Sequence, residues 1–254
     1  MMGYMKRKSL KGCWSLITGG SKRIGEDISR GLHHEGSNVI IHYMSSKKSA
    51  EDLVDSLNNI RPESAICIQA NLKKNKDINL LIEETIGNTG RLDVLINNAS
   101  SFYPTPLETI NEEQWEDLIS TNLKAPLFLS KAALPYLNKN EGVIINIVDI
   151  HSNRPLKNHP IYGPAKAGLA MLTRSLAKDL APKIRVNGVS PGAILWPQTD
   201  DLSEKIKDKI IKQTALRKAG NPSDITSAVI FLVKDSPYIT GQIIAVDGGR
   251  SIGW

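Results

Sequence analysis

The sequence predicts an α/β fold: one Rossmann-type, doubly wound domain over residues 1–254, with a seven-stranded parallel sheet flanked by helices. Short β-branched runs recur between longer amphipathic stretches. The runs are apolar nearly throughout rather than alternating, as strands covered by helices on both faces must be. No internal repeat or low-complexity segment interrupts the pattern, and 254 residues suffice for one sizeable core.

The strands expected in order are WSLITG from Trp14, NVIIHY from Asn38, SAICIQA from Ser64, LDVLINNA from Leu92, GVIINIV from Gly142, IRVNGV from Ile184 and IIAV from Ile243. About six helices fill the intervals. The longest stretch without a clear period is 191–222. It follows a strand, so it is expected to be a substrate loop overhanging the carboxyl edge of the sheet, where such folds bind ligands.

Composition narrows the function classes. A 41% hydrophobic share with 23% charged residues, and no apolar run near the ~18 residues of a membrane span, predicts a soluble chain without a membrane partner. The basic start MMGYMKRKSLKG leads into a strand rather than a long apolar segment, so no export signal is expected. Cys13 and Cys67 lack CxxC spacing. Both are expected to be buried apolar residues in a reduced compartment, the cytoplasm, without a structural disulfide. No metal site is expected. The formal charge of +6 is scattered among acidic residues, with no basic tract interleaved with aromatics, which argues against a nucleic-acid partner. A phosphorylated small molecule needs only a few of these charges.

The loop TGGSKRIG, from Thr18 to Gly25, joins the first strand to a helix. Gly19 permits a tight turn, Gly25 permits close helix–strand packing, and the amides at the helix start suit a pyrophosphate. Lys22, Arg23 and Ile24 therefore belong with Gly19 to the expected cofactor cradle. Arg23 stands where a third glycine is common, and a guanidinium there reaches bound phosphate. At the end of the second strand, beside Tyr43 of the expected cofactor site, Ser45, Ser46, Lys47 and Lys48 stand in place of the acidic residue that would accept a ribose 2′-hydroxyl, favouring NADPH over NADH. The plainer alternative is that the lysines only begin an exposed helix. Asn71 and Leu72 are expected beside the adenine, and Asn98 and Ala99 along the crevice; the asparagines could equally be strand-end turn formers.

With TGxxxxxG, the NNA ending at Ala99, Asn122 in STNLKAP, Tyr162-x-x-x-Lys166, and Pro191 with Gly192, the chain resembles the short-chain dehydrogenase/reductase family. That resemblance implies NADPH held in part by Tyr162, Lys166, Pro191 and Gly192. It also implies a homotetramer built through the helices bearing Asn122 and Tyr162 and through the C-terminal strand. Lys166 is expected to place its cation near the Tyr162 hydroxyl and make it a better acid–base group. Asn122 would hold a helix distortion.

Most family members carry a serine upstream of the tyrosine, where this chain reads IINIVD and supplies Asp149. An ionised carboxylate is a poor partner for a developing oxyanion but accepts hydrogen bonds from ring N–H and amino groups. A nitrogen heterocycle fits better than a simple ketone. TGGSKRIG, NNASSFYPTPL and IYGPAKAGL, together with that aspartate, are similar to the signatures of pteridine reductases within the family. The resemblance implies Arg23 and Ser100 at cofactor and substrate, Phe102 stacked on a pterin, and Asp149 with Tyr162 as the proton-transfer pair.

Two departures stand out: Ser45 replaces an arginine expected at the 2′-phosphate, and Asn71 replaces an acidic residue. The tail GGRSIGW places Trp254 where another arginine is expected, so substrate contacts of the tail do not carry over. The expected activity is NADPH-dependent reduction of a pterin C=N bond, with dihydropteridines, oxidised pterins or dihydrofolate as substrates. The alternatives are a carbonyl reductase of the same family, such as a 3-oxoacyl carrier-protein reductase, and a non-catalytic NADPH-binding sensor.

Overall fold

A computed structural model describes residues 9–194 and 203–252. Trp254, the first eight residues and 195–202 of the expected substrate loop lie outside the described residues.

All seven expected strands form: β1 (Trp14–Ile17), β2 (Asn38–Tyr43), β3 (Ala65–Gln69), β4 (Val94–Asn97), β5 (Val143–Ile147), β6 (Arg185–Pro191) and β7 (Ile243–Val246). They make one parallel sheet in the order β3-β2-β1-β4-β5-β6-β7. Successive strands are added to one side of β1 up to β3 and to its other side from β4 on, and that topological switch opens a crevice at the carboxyl edge.

The continuous apolar runs are explained by the register. Leu16, Ile40, Leu95, Ile144 and Val186 pair side by side across five strands, and all five are fully buried on one face. One residue further on, Ile17, Ile41, Ile96 and Ile145 form the corresponding row on the other face. Each such side chain contributes roughly 1.5–3 kcal/mol relative to exposure, so both faces need a helical layer.

Eight α-helices are described rather than about six: α1 (Arg23–His34), α2 (Lys47–Ile60), α3 (Asn75–Thr89), α4 (Glu112–Ile119), α5 (Ala125–Lys139), α6 (Tyr162–Leu180), α7 (Glu204–Lys212) and α8 (Pro222–Ile230). The expected loop at 191–222 contains α7, whose Ile206, Ile210 and Ile211 share one side but stay exposed or half-buried, so the helix buries none of its residues. The stretch from Glu112 to Lys139 is one interrupted helix. An Asn111–Gln114 capping box starts it, and a π-helical turn at Ser120–Lys124 separates α4 from α5. Cys13 is buried as expected, whereas Cys67 on β3, near the sheet edge, is only half-buried; both are free thiols.

Candidate active site

The loop between β1 and α1 is shaped by close contact. Gly19 has φ of 58°, in the left-handed region. A Cβ on Gly25 would lie 2.1 Å from the Gly19 carbonyl oxygen and 2.6 Å from Asn98 Nδ2, so only glycine lets α1 start this close to the strand. Asn98 closes the contact from β4, its Nδ2 donating to the carbonyls of Thr18 (2.9 Å) and Gly19 (3.1 Å). Thr18 Oγ1 accepts from the amides of Asn98 and Ala99 at 2.9 and 3.0 Å. Arg23 adopts φ of 52° as the first residue of α1, a backbone region that disfavours side chains and explains why glycine is common there. Lys22 and Arg23 are exposed and Ile24 is half-buried.

The neighbouring strand ends complete the cradle. Tyr43 is buried, Ser45 exposed, and Ser46 caps α2 without a side-chain bond. Lys47 begins α2 and pairs with Glu51 at 3.7 Å on the exposed surface, so the expected basic residue is also a helix-start residue. Asn71 accepts from the Lys73 amide at 3.1 Å, as a turn former does, and Leu72 is buried. Pro191 ends β6, and the Gly192 amide donates to the Val246 carbonyl at 3.0 Å.

The second half of the site gathers at β5 and α6. Asp149 follows β5, and its Oδ1 accepts from the His151 amide at 2.8 Å, which fixes the carboxylate at the head of a 3-10 turn. The Tyr162 hydroxyl donates to Asp149 Oδ2 at 2.8 Å. Burial first, and then the charge and hydrogen bond of Asp149, push the phenol well above its ordinary range. It is a firmly protonated donor. Lys166, one helical turn on, is 2% exposed, and burial brings its ammonium down to about 8 against an opposing pull from Asp149. Its Nζ donates to the Ile147 carbonyl at 3.0 Å and lies 5.8 Å from the centre of the Tyr162 ring. The direct partner of the hydroxyl here is Asp149, while the Lys166 ammonium stays near the Tyr162 ring and bonds the end of β5.

Asn122 sits in the π-turn, 1% exposed, with Nδ2 donating to the carbonyls of Leu118 and Ser101 at 2.9 Å each. Its Oδ1 accepts from Ser100 Oγ at 2.7 Å. That bond joins the segment after β4 to the helix distortion. Phe102 is 56% exposed, stacks on His159 with centroids 4.9 Å apart, and meets the edge of Tyr162 at 4.8 Å.

Three residues that sequence analysis passed over, His159, Arg154 and Arg250, join this cluster, and a fourth, His42, lies by the loop after β1. His159 covers part of Phe102, and its Nε2 is buried without a hydrogen-bond partner. Arg250, beyond β7, is half-buried and feels the Asp149 charge, while Arg154 Nη1 donates to the Arg250 carbonyl at 2.6 Å. His42 is considered below. Only His42 left a trace in the sequence, as a polar residue inside the apolar run NVIIHY. Among the described residues no group of acidic, histidine or cysteine side chains could hold a metal, and no helix is long and apolar enough to cross a membrane.

A glycine-shaped strand-to-helix loop at the switch point, and a buried Tyr-x-x-x-Lys on the next sheet half, agree with what comparison finds. A family model described as enoyl-(acyl carrier protein) reductase, of the short-chain dehydrogenase/reductase type, matches residues 19–251. The chain belongs to the short-chain dehydrogenase/reductase family. A 3-oxoacyl acyl-carrier-protein reductase of Staphylococcus epidermidis is 37% identical, with 92% of this chain and 97% of the relative aligned. Pteridine reductase 1 of Leishmania tarentolae is 36% identical, covering 94% of this chain and 96% of its own. Among solved structures, a blue fluorescent protein from a metagenomic library in complex with NADPH superposes with a TM-score of 0.90 at 32% identity, covering 96% and 99% of the two chains. As a short-chain dehydrogenase/reductase, the chain is an oxidoreductase. Identity alone favours neither of the two named substrate classes.

Proposed function

We propose that this oxidoreductase uses NADPH to reduce a ring C=N bond of a pterin, with dihydropteridines as the main substrates and oxidised pterins or dihydrofolate as further ones. The cofactor fits the residues present. The cradle of Gly19, Lys22, Arg23 and Ile24 would hold the pyrophosphate on the first amides of α1. Tyr43, Ser45 and Ser46 would face the adenine ribose, where the absence of a carboxylate favours the 2′-phosphate. Asn71 and Leu72 would border the adenine. Asn98, Ala99, Ser100, Pro191, Gly192 and Lys166 would border the nicotinamide half. NADPH bound there supplies the hydride.

The observation that carries the substrate class is the 2.8 Å bond from Tyr162 to Asp149, in the position where most members of the family have a serine. A serine hydroxyl donates to a ketone oxygen. The Asp149 carboxylate accepts, so it is suited to ring N–H and amino groups, leaving the protonated Tyr162 to deliver its proton to a ring nitrogen. Asp149 orients that proton and, after taking one up from solvent, would relay it to the tyrosinate. Arg23 and Ser100 would contact the substrate beside the cofactor, and the exposed part of Phe102 would stack on the pterin. Asn122 would hold Ser100 in place. We infer further that the chain works as a homotetramer assembled through α5 and α6 and through β7, the sheet edge, whose apolar residues are half-exposed or exposed.

A second reading, reduction of a 3-oxoacyl carbonyl, rests on the staphylococcal reductase, which is as similar to this chain as the pteridine reductase is. NADPH oxidation measured with dihydropterins, dihydrofolate and a 3-oxoacyl thioester separates the two. A kcat/KM for dihydropterins at least tenfold above that for the thioester is expected. The reverse order assigns the chain to carbonyl reduction, and NADPH binding without turnover of any substrate makes it a sensor.

A further inference from the structure

We infer that His42 is the positioning residue of the dinucleotide loop: it acts as a neutral acceptor that sets the place of Gly19 and so the affinity for NADPH. The inference rests on the NADPH reading above and adds to it a residue that touches no substrate.

His42 lies on β2 and is 2% exposed. Its Nδ1 accepts from the Gly19 amide at 3.0 Å, and its own carbonyl accepts from the Gly20 amide at 3.0 Å. Its Nε2 lies 3.1 Å from the Ala70 carbonyl, immediately before Asn71 and Leu72. These partners fix the tautomer. An amide N–H only donates, so Nδ1 is bare; a carbonyl only accepts, so Nε2 carries the proton. Burial agrees, holding the imidazole down at about 4, with the Ala70 bond pulling weakly the other way. One neutral ring thus ties together the ends of β1, β2 and β3, the three segments that surround the adenine-ribose half of the proposed cofactor site.

The Gly19 bond has a consequence for binding. Gly19 holds a left-handed φ and is pressed against Ala99, where a Cβ would lie 3.2 Å from the Ala99 Cα. Its amide points into the sheet at His42 rather than toward the crevice. The pyrophosphate must then be met by the amides at the start of α1, and those point correctly only while Gly19 stays where the ring holds it. Without the Nδ1 acceptor, the half-buried Gly19 amide is left unpaired, a state relieved if the loop turns the amide outward. The outward-turned loop is the wrong shape for the dinucleotide.

Two conservative variants separate positioning from mere packing. His42→Asn places an amide oxygen at the depth of Nδ1 and keeps the Gly19 acceptor while losing the Ala70 donor. His42→Gln places an amide nitrogen at the depth of Nε2 and keeps the Ala70 donor while losing the Gly19 acceptor. NADPH Kd from the quenching of intrinsic fluorescence, the melting temperature without cofactor, and kcat at saturating NADPH are measured on the whole chain. The expected result is an NADPH Kd within about threefold of wild type for His42→Asn and raised at least tenfold for His42→Gln, at similar melting temperatures. At saturating NADPH, kcat stays within about twofold for both. Equal Kd in the two variants, or a Kd that simply follows melting temperature, overturns the inference. Failure of the wild-type chain to bind NADPH overturns the cofactor reading instead, and the two failures are read from different proteins.

Discussion

The two halves of the site solve opposite problems with buried polar groups. Around the loop after β1, neutral groups pair with one another: His42 with Gly19 and Ala70, Thr18 with Asn98 and Ala99, Asn98 with the Thr18 and Gly19 carbonyls. Such a network fixes a shape at little electrostatic cost. Beyond β5, ionisable groups are held where burial resists their charged forms: Tyr162 is driven up and the Lys166 ammonium down, with the Asp149 charge acting on both. The displaced groups beyond β5, Tyr162 and Lys166, both feel the Asp149 charge, whereas the displaced His42 ring is held neutral by partners on both nitrogens. On the proposed reading the first half binds and the second carries the chemistry.

The largest expected effect tests whether the halves are separable. Asp149→Asn keeps the side-chain shape, but an amide neither relays the proton nor accepts from Tyr162 with a full charge. A fall of about a hundredfold in kcat for dihydropterins is expected, at the low end of what acid–base groups contribute, with NADPH Kd unchanged. Asp149→Ser is expected to lose pterin turnover as well and to gain weak carbonyl reduction, because its hydroxyl donates to an oxyanion. Undiminished turnover in the asparagine variant would move Asp149 out of the chemistry and dissolve the contrast.

A moderate effect concerns the cost of the catalytic half. The folded Lys166 titrates near 8 and the unfolded one near 10.5, so between these values the unfolded chain binds more protons. Its burial cost is therefore present in full below pH 8 and fades as pH rises to 10.5. Lys166→Met should melt several degrees higher than wild type at pH 7, with the gain shrinking by pH 10, while retaining little activity. For the wild type, kcat should decline as pH rises through about 8, and Lys166→Arg should lose that limb. A lower melting temperature for the methionine variant at pH 7 would show that Lys166 stabilises the fold.

The smallest effect refines the boundary between the halves. Phe102 leans on His159 and on the edge of Tyr162, so part of its ring is already occupied. Stacking of the exposed part on a pterin contributes about 0.5–1.5 kcal/mol, and Phe102→Ala should raise the dihydropterin KM about two- to tenfold with NADPH Kd unchanged. Wild-type KM in this variant would reduce Phe102 to a brace for His159.

Much of this was legible in the chain. The strands stood out because five of them lie between covered helices and must be apolar on both faces, and β2 and β7 have the bounds expected. Gly25 and Asn98 were legible as motif residues, although the reason for the glycine, its contact with the Gly19 carbonyl, was not. α7 escaped because its stripe, Ile206, Ile210 and Ile211, is only three residues long in a short lysine-rich segment. Cys67 was misjudged because β3 is the edge of the sheet, and edge position is a property of strand order.

By itself the sequence determined the alternation of strands and helices, the glycine loop, the absence of an acidic residue after β2, and a carboxylate at Asp149 ending the fifth apolar run. Each is local, fixed by residue type and by spacing of a few positions. Tertiary structure alone decided that Tyr162 faces Asp149 thirteen residues away, that Lys166 spends a donor on the end of β5, and that His42 reaches both Gly19 and Ala70. It also decided that Phe102 meets His159, and that the turn after β7 is tied to Arg154. The reason is topological: parallel strands bring their carboxyl ends to one edge whatever their separation along the chain, and hydrogen bonds formed there depend on strand order and register, which no local period encodes.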